Sequence, residues 1–264
     1  MNKVVREEIK QSLRKSLYRH VSRFKYKNIQ PLDLLIPKER KIRSLVGGLE
    51  TSMGTTVWEP IAKTLAKNNG FEVITEKILM PKPFPQRLRD ELDALITLRE
   101  DKLMWVPISK CIERLKAVSQ SVDKSGVEYV KPASGTGVDI RLKKEGKEYA
   151  FDTKTVQPNI GSIKSFNKQI LEWYAYAICK NPSIELECKI AYPYNPHTDD
   201  FWSYTPHTSL VLKPHEDAVV EDEFWDFLSG ETDTYKNILN IFSELATEGF
   251  GDELSAMIVK INES

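Results

Sequence analysis

Residues 137–159 read GVDIRLKKEGKEYAFDTKTVQPN, and this stretch limits the possible folds more than any other. Two runs of strand character, 138–142 and 148–156, are joined by residues 143–147, a short link containing Gly146. A Gly-containing link of this length closes a β-hairpin. Side chains alternate faces along a strand, so Asp152 and Lys154 share one face while Phe151 and Thr153 take the other. Val138, Ile140 and Leu142 share a face of the first strand, which leaves Asp139 on the opposite one. Pairing of the hairpin sets Asp139 beside Asp152, with Lys154 one step further on. Two carboxylates and an ammonium then converge at the end of a sheet.

The pattern after the hairpin supplies the rest of a sheet. Residues 162–179 carry Ile163, Phe166, Ile170, Trp173 and Ala177 on one helical stripe. The run 186–192 then reads as a third strand, parallel to the second through this crossover helix. Upstream, Val5, Ile9, Leu13, Leu17 and Val21 mark an amphipathic helix over 3–24 with basic outer faces. A further helix begins among the basic residues 38–43. Trp58, Ile61, Ala62, Leu65 and Ala66 mark another, closed by Asn68, Asn69 and Gly70. Residues 71–79 alternate as a strand, Pro81, Pro83 and Pro85 break the chain, and helices follow over 87–103 and 108–120. The first of these carries Arg87, Arg89 and Arg99 and the second Arg114, any of which can face a polyanion. Helices over 222–230, 235–247 and 252–261 end the chain.

The expected fold is α/β: a central mixed β-sheet flanked by helices, the hairpin at one edge, with helical N- and C-terminal parts. At 264 residues the chain can hold one large domain or two small ones, and the reading is a single domain over 1–264. Its parts are a basic helical 1–45, a core over 46–215 and an acidic helical 216–264.

Mg²⁺ takes oxygen ligands and is commonly held by one or two carboxylates plus substrate phosphate and water. A metal so held polarises a phosphoryl oxygen and lowers the pKa of a bound water. A neighbouring lysine orients that water or stabilises developing negative charge. Asp139 and Asp152, with the Thr153 backbone carbonyl, are the candidate metal ligands, and Lys154 the activating cation. The spacing, Asp then twelve residues then Asp-x-Lys, resembles the PD-(D/E)xK nuclease superfamily. Here Val138-Asp139 replaces Pro-Asp, and the second carboxylate is Asp rather than Glu. The competing reading is a solvated surface ladder; the apolar approach of Ala150 and Phe151 to Asp152 speaks against it.

Composition excludes several classes. With 41% hydrophobic and 29% charged residues the chain is an ordinary soluble type, and no apolar run approaches the ~18 residues of a membrane span. Cys111, Cys179 and Cys188 lack metal-ligand spacing and read as reduced packing residues of a cytoplasmic protein. The four histidines form no HxH or HxxxH pair. Net charge is zero, but its distribution is uneven. Residues 1–50 hold 13 Lys and Arg against 5 Asp and Glu, while residues 215–264 hold 2 against 13. This predicts a basic surface for phosphates and an acidic end facing away or meeting a partner.

Two segments have both a structural and a functional reading. Thr56-x-x-Glu59 fits a capping box, yet Pro60 suits the first helical position, and an acidic residue at such a helix start joins the metal site in many PD-(D/E)xK nucleases. After the second strand, Gln157, Asn159, Lys164, Asn167 and Lys168 lie at a helix N-terminus, which attracts phosphate. Asn, Gln and Lys also read base edges; the alternative is that Asn159 only caps and the lysines are solvated.

The combination TSxGxxxWExxA, GVDI and FDTKTVQPNIGSxKSFNKQxLEWYAYA resembles the TdeIII-type restriction endonucleases, from about Ser44 to the C-terminal helices. That resemblance implies a type II enzyme with a GGNCC-like target, Asp139, Asp152 and Lys154 as the catalytic set, and Glu59 as its fourth member. It implies Mg²⁺ as cofactor, duplex DNA as substrate and, for a palindromic target, a homodimer. The alternatives are another nuclease of the superfamily acting on junctions or damaged DNA, or a non-catalytic DNA-binding protein.

Overall fold

In chain order the helices α1 (Lys3–Arg23), α2 (Pro37–Met53) and α3 (Glu59–Asn68) precede strands β1 (Glu72–Val73) and β2 (Met80–Lys82). Helices α4 (Gln86–Glu100) and α5 (Ile108–Ser121) lead to β3 (Glu128–Val130), β4 (Ile140–Lys144) and β5 (Lys147–Thr153). Then come α6 (Ile160–Lys180), β6 (Leu186–Tyr192), β7 (Ala218–Val220), α7 (Asp222–Ser229), α8 (Thr234–Thr247) and α9 (Phe250–Glu263). The structure, a computed structural model, describes residues 1–26, 30–133, 135–154, 158–204 and 211–263. They form two compact units, one of residues 70–224 and one of residues 1–69 with 225–264.

The first unit is built on a five-stranded mixed sheet in the order β1-β4-β5-β6-β7. The α/β expectation holds, but the hairpin is not at an edge. The two-residue β1 pairs antiparallel with β4, Glu72 opposite Lys143 and Val73 opposite Leu142, so β5 becomes the middle strand. The predicted strand over 71–79 is thereby cut short. After Ile74, whose N–H donates to Arg141 O at 2.8 Å, the chain leaves this sheet and forms β2 against β3. Pro81 sits in that two-stranded sheet, where its missing donor is tolerated.

The hairpin link is also tighter than predicted. Lys144 faces Lys147, leaving Glu145 and Gly146 as a two-residue turn with φ of 51° and 85°. Positive φ at both central positions is the type I′ geometry that matches strand twist, and Gly146 supplies the second without a Cβ clash. Parallel pairing of β5 with β6 through α6 follows the expectation, Asp152 opposite Ile190 and Thr153 opposite Ala191. Helix α6 packs on α4 and α5, burying Ile163, Ile170, Leu171, Trp173 and Tyr174 with Leu88, Leu92, Leu95 and Leu115. Each such side chain contributes about 1.5–3 kcal/mol by leaving water. Phe151, on the opposite face of β5 from Asp152, meets Phe224 edge-on. Cys111, Cys179 and Cys188 are all free and buried.

The second unit is helical. Its α2 does not stop before α3: residues Gly54–Trp58 form a π turn, and Glu59 N–H donates to Gly54 O, five residues back. Pro60 accounts for this, because its ring clashes with the carbonyl four residues earlier and it has no N–H to offer, so the helix widens there. The capping-box reading of Glu59 is therefore overturned, since no helix starts at Thr56 and Trp58 before it is itself helical.

Part of the charge asymmetry is neutralised inside this unit. Along one strip of α1, Lys10 pairs with Glu244 (2.7 Å) and Glu248 (2.6 Å), Arg14 with Glu248 (2.7 Å), and Arg6 with Glu244. Tyr18 continues the strip by donating to Glu253. The basic N-terminal and acidic C-terminal segments thus face one another in part, which corrects the expectation of an acidic end turned away. No described helix is long and apolar enough to cross a membrane.

Candidate active site

Asp152 lies near the carboxyl end of the middle strand, where both faces of the sheet are covered; it is only 4% exposed. Continuing the β4–β5 register by one step sets Asp139 opposite it, and Asp139 N–H donates to Phe151 O at 3.1 Å. Lys154 Nζ is 2.5 Å from Asp152 Oδ2. Oδ2 is buried, and Lys154 is its charge partner. Asp139, Asp152 and Lys154 are thus brought together as the alternation predicts.

Burial pushes the Asp152 carboxyl up to about 7, helped by the Asp139 carboxylate and opposed by Lys154. Two carboxylates at one low-dielectric place resist double ionisation. A hard divalent cation removes that conflict, and an all-oxygen pair with an under-satisfied buried oxygen suits Mg²⁺ completed by substrate phosphate and water. Among the described residues no group of three or more His, Cys, Asp and Glu is placed to hold a metal ion, so the candidate protein ligands here are the two carboxylates and the Thr153 carbonyl.

The profile of the family described as Type II restriction endonuclease, HinfI matches residues 1–246. The chain belongs to that family. It is 26% identical over 216 residues to the type II restriction enzyme MjaII of Methanocaldococcus jannaschii, covering 78% of this chain and 55% of the relative. It is 26% identical over 206 residues to the type II restriction enzyme HgiCII of Herpetosiphon aurantiacus, covering 75% and 69%. The chain therefore spans only about half of the first relative's length. No solved structure matches it.

Around the three charges this HinfI-family chain adds contacts that strand alternation does not disclose. Thr153 donates to Asp139 Oδ2 twice, from N–H at 3.0 Å and Oγ1 at 3.1 Å, and so orients that carboxylate. Phe166 of α6 lies under Lys154, with Nζ 4.9 Å from the ring centre. Tyr192, beside Lys154 by register and 2% exposed, has its hydroxyl pKa raised by burial, with the nearby Asp152 carboxylate adding to the shift. Lys77 donates to Val138 O at 2.6 Å and Trp173 Nε1 to Thr136 O at 3.0 Å, pinning the approach to Asp139.

The other predicted residues are spread more widely. Glu59 is in the helical unit, 14% exposed, and accepts from Lys63 Nζ at 2.6 Å. Asn159 is the N-cap of α6, accepting from Ser162 N–H at 2.9 Å. Lys164 pairs with Glu100 at 2.9 Å and Lys168 approaches Glu172 at 3.9 Å, both lysine side chains staying about half exposed. Asn167, expected at the DNA, is 1% exposed and accepts from Arg99 Nε at 2.7 Å; it is an internal strut, because residue 167 falls on the buried side of α6. Gln157 lies outside the described residues. Of the arginines with a possible DNA role, Arg99 is buried at 1% and Arg114 pairs with Glu91 at 2.5 Å.

A pH dependence of stability follows from Asp152. Its folded pKa, about 7, exceeds the ordinary 3.8, so the protonated form favours folding. That contribution is full below about pH 4 and is lost as pH rises through about 7. In metal-free protein the thermal midpoint of the wild type should fall relative to Asp152→Asn between these values. Parallel melting curves for the two proteins across this range would contradict the assignment.

Proposed function

We propose that this chain is a Mg²⁺-dependent type II restriction endonuclease that hydrolyses phosphodiester bonds at a short palindromic site in duplex DNA. The carrying observation is the buried Asp152, facing Asp139 and paired with Lys154, at the carboxyl end of the middle strand. Membership of the HinfI family supports the reaction class. Asp139 and Asp152, with the Thr153 carbonyl, hold the cation. Bound Mg²⁺ supplies charge stabilisation at the phosphate and a more acidic water. Lys154 orients that water or the developing oxyanion, and Phe166 keeps its ammonium in place. The motif resemblance to TdeIII-type enzymes supports a GGNCC-like target.

Lys164, Lys168, Asn159 and Gln157 are the base- or phosphate-contacting set; Asn167 leaves it, being buried. A palindromic target carries two-fold symmetry, so the acting species is a homodimer. The exposed run Leu34 (81%), Leu35 (76%) and Ile36 (44%) supports a protein contact.

Digestion of a mapped plasmid with and without Mg²⁺ tests the reading. Discrete fragments that need the metal are expected. A smear means a general nuclease, and uncut DNA favours a binding protein. Glu59 is kept as the fourth member of the catalytic set, beside Asp139, Asp152 and Lys154. Glu59→Gln retains the partner of Lys63 but not the charge, so the Mg²⁺ concentration for half-maximal cleavage should rise with little change in melting temperature. An unchanged Mg²⁺ dependence would remove Glu59 from the site.

A further inference from the structure

Helix α1 carries two basic strips of opposite fate. Arg6, Lys10 and Arg14 each face Glu244 or Glu248. Arg19 and Arg23, one turn apart and exposed, have no acidic partner among the described residues. Like charges at this spacing repel, so the arrangement is unfavourable unless an anion lies between them. Both arginines line a cleft of about 440 Å³ with His20, Ser44, Thr55 and Thr56.

The lining contains guanidinium, imidazole and hydroxyl groups, and no carboxylate. His20 is anchored to Ser52 Oγ at 3.2 Å, and Gly48 beside it presents no side chain to the opening. The position near the helix C-terminus by itself favours cations through the helix dipole. That preference does not explain why the facing wall, from α2 and the π turn, offers hydroxyls instead of the acids used one strip away.

We propose that this cleft binds backbone phosphates of duplex DNA, as a sequence-independent clamp in the helical unit. The inference rests on the nuclease reading for its choice of polyanion. Phosphate contacts of this kind position a duplex without reading bases, and each releases counterions.

The test uses full-length protein carrying Asp152→Asn, so that DNA stays intact, with a random-sequence duplex and a duplex bearing the cleavage site mapped on the plasmid. Adding Arg19→Ala and Arg23→Ala should weaken binding of both duplexes equally, roughly 10- to 100-fold at about 0.1 M salt, and lower the log–log salt slope by nearly two units. Arg19→Lys with Arg23→Lys should restore most of both. Unchanged affinity and slope would overturn the clamp, as would a loss confined to the site-bearing duplex, or inorganic phosphate binding lost without any effect on DNA. Circular dichroism of the alanine variant guards against misfolding, and Arg19→Gln with Arg23→Gln repeats the measurement if it misfolds. A wild type that fails to cut in Mg²⁺ refutes the nuclease reading alone, because binding and salt slope on the random-sequence duplex do not depend on cleavage and still test the clamp.

Discussion

Asp152→Ala is expected to lower DNA cleavage at least ~10²-fold, the usual scale for removing a charge-stabilising group from a reaction centre. Asp139→Ala and Lys154→Ala should each do the same, for different reasons. Loss of Asp152 takes away the buried ligand and leaves Lys154 Nζ without its partner at 2.5 Å. Loss of Asp139 removes the facing carboxylate and the acceptor of both Thr153 donors. Loss of Lys154 leaves Asp152 with less to oppose its burial, so its carboxyl moves further up and holds metal less well at neutral pH. Binding in Ca²⁺ should survive in at least some of these variants, because phosphate contacts elsewhere provide most of the affinity. Single-turnover rates at saturating DNA separate the two effects. If Asp152→Ala cuts at the wild-type rate, the site is misassigned.

The juxtaposition of Asp139, Asp152 and Lys154 was legible because it depends on local periodicity. A period of two along residues 148–153 puts Asp152 and Lys154 on one face, and the hairpin register brings Asp139 opposite, whatever else the chain does. The amphipathic α1 and the crossover α6 were readable for the same reason, their apolar residues recurring at helical spacing. What local pattern could not give was the partner of each element. The middle position of β5 depends on β1, a two-residue strand some seventy residues upstream of its partner, too short to leave a periodic signal. The π turn depends on Pro60 meeting a helix that was already running, whereas Thr56-x-x-Glu59 alone looks like a start. The opposed charges of α1 and α8 look like two surfaces until the chain brings residues 6–14 against 244–248. Arg99 did carry a signal: it follows Leu88, Leu92 and Leu95 on the same buried stripe of α4. A charge at such a position implies a buried partner.

That partner gives the second large effect. Arg99 and Asp217 are each 1% exposed and form an ion pair. Arg99 also donates to Asn167 Oδ1 at 2.7 Å, Val106 O at 2.9 Å and Val211 O at 3.3 Å, while Asp217 Oδ2 accepts from Lys213 N–H at 2.7 Å. Burial raises the Asp217 carboxyl, and Arg99 opposes the shift. An exposed pair contributes about 0–1 kcal/mol, but removing one member of a buried pair leaves a charge with no water and costs about 3–5 kcal/mol. Arg99→Met should therefore lower the urea midpoint far more than replacing the exposed Lys110, whose ion pair with Glu113 lies at the surface. Asp217→Leu should be similarly damaging. The double variant should recover much of the loss, since two apolar side chains of like volume leave no stranded charge. The network also reaches the candidate site, because Asn167 is the neighbour of Phe166, over which Lys154 lies. A double variant that regains stability yet cuts slowly would show Arg99 holding α6 in the rotation that seats Lys154. One that regains both would confine Arg99 to the core.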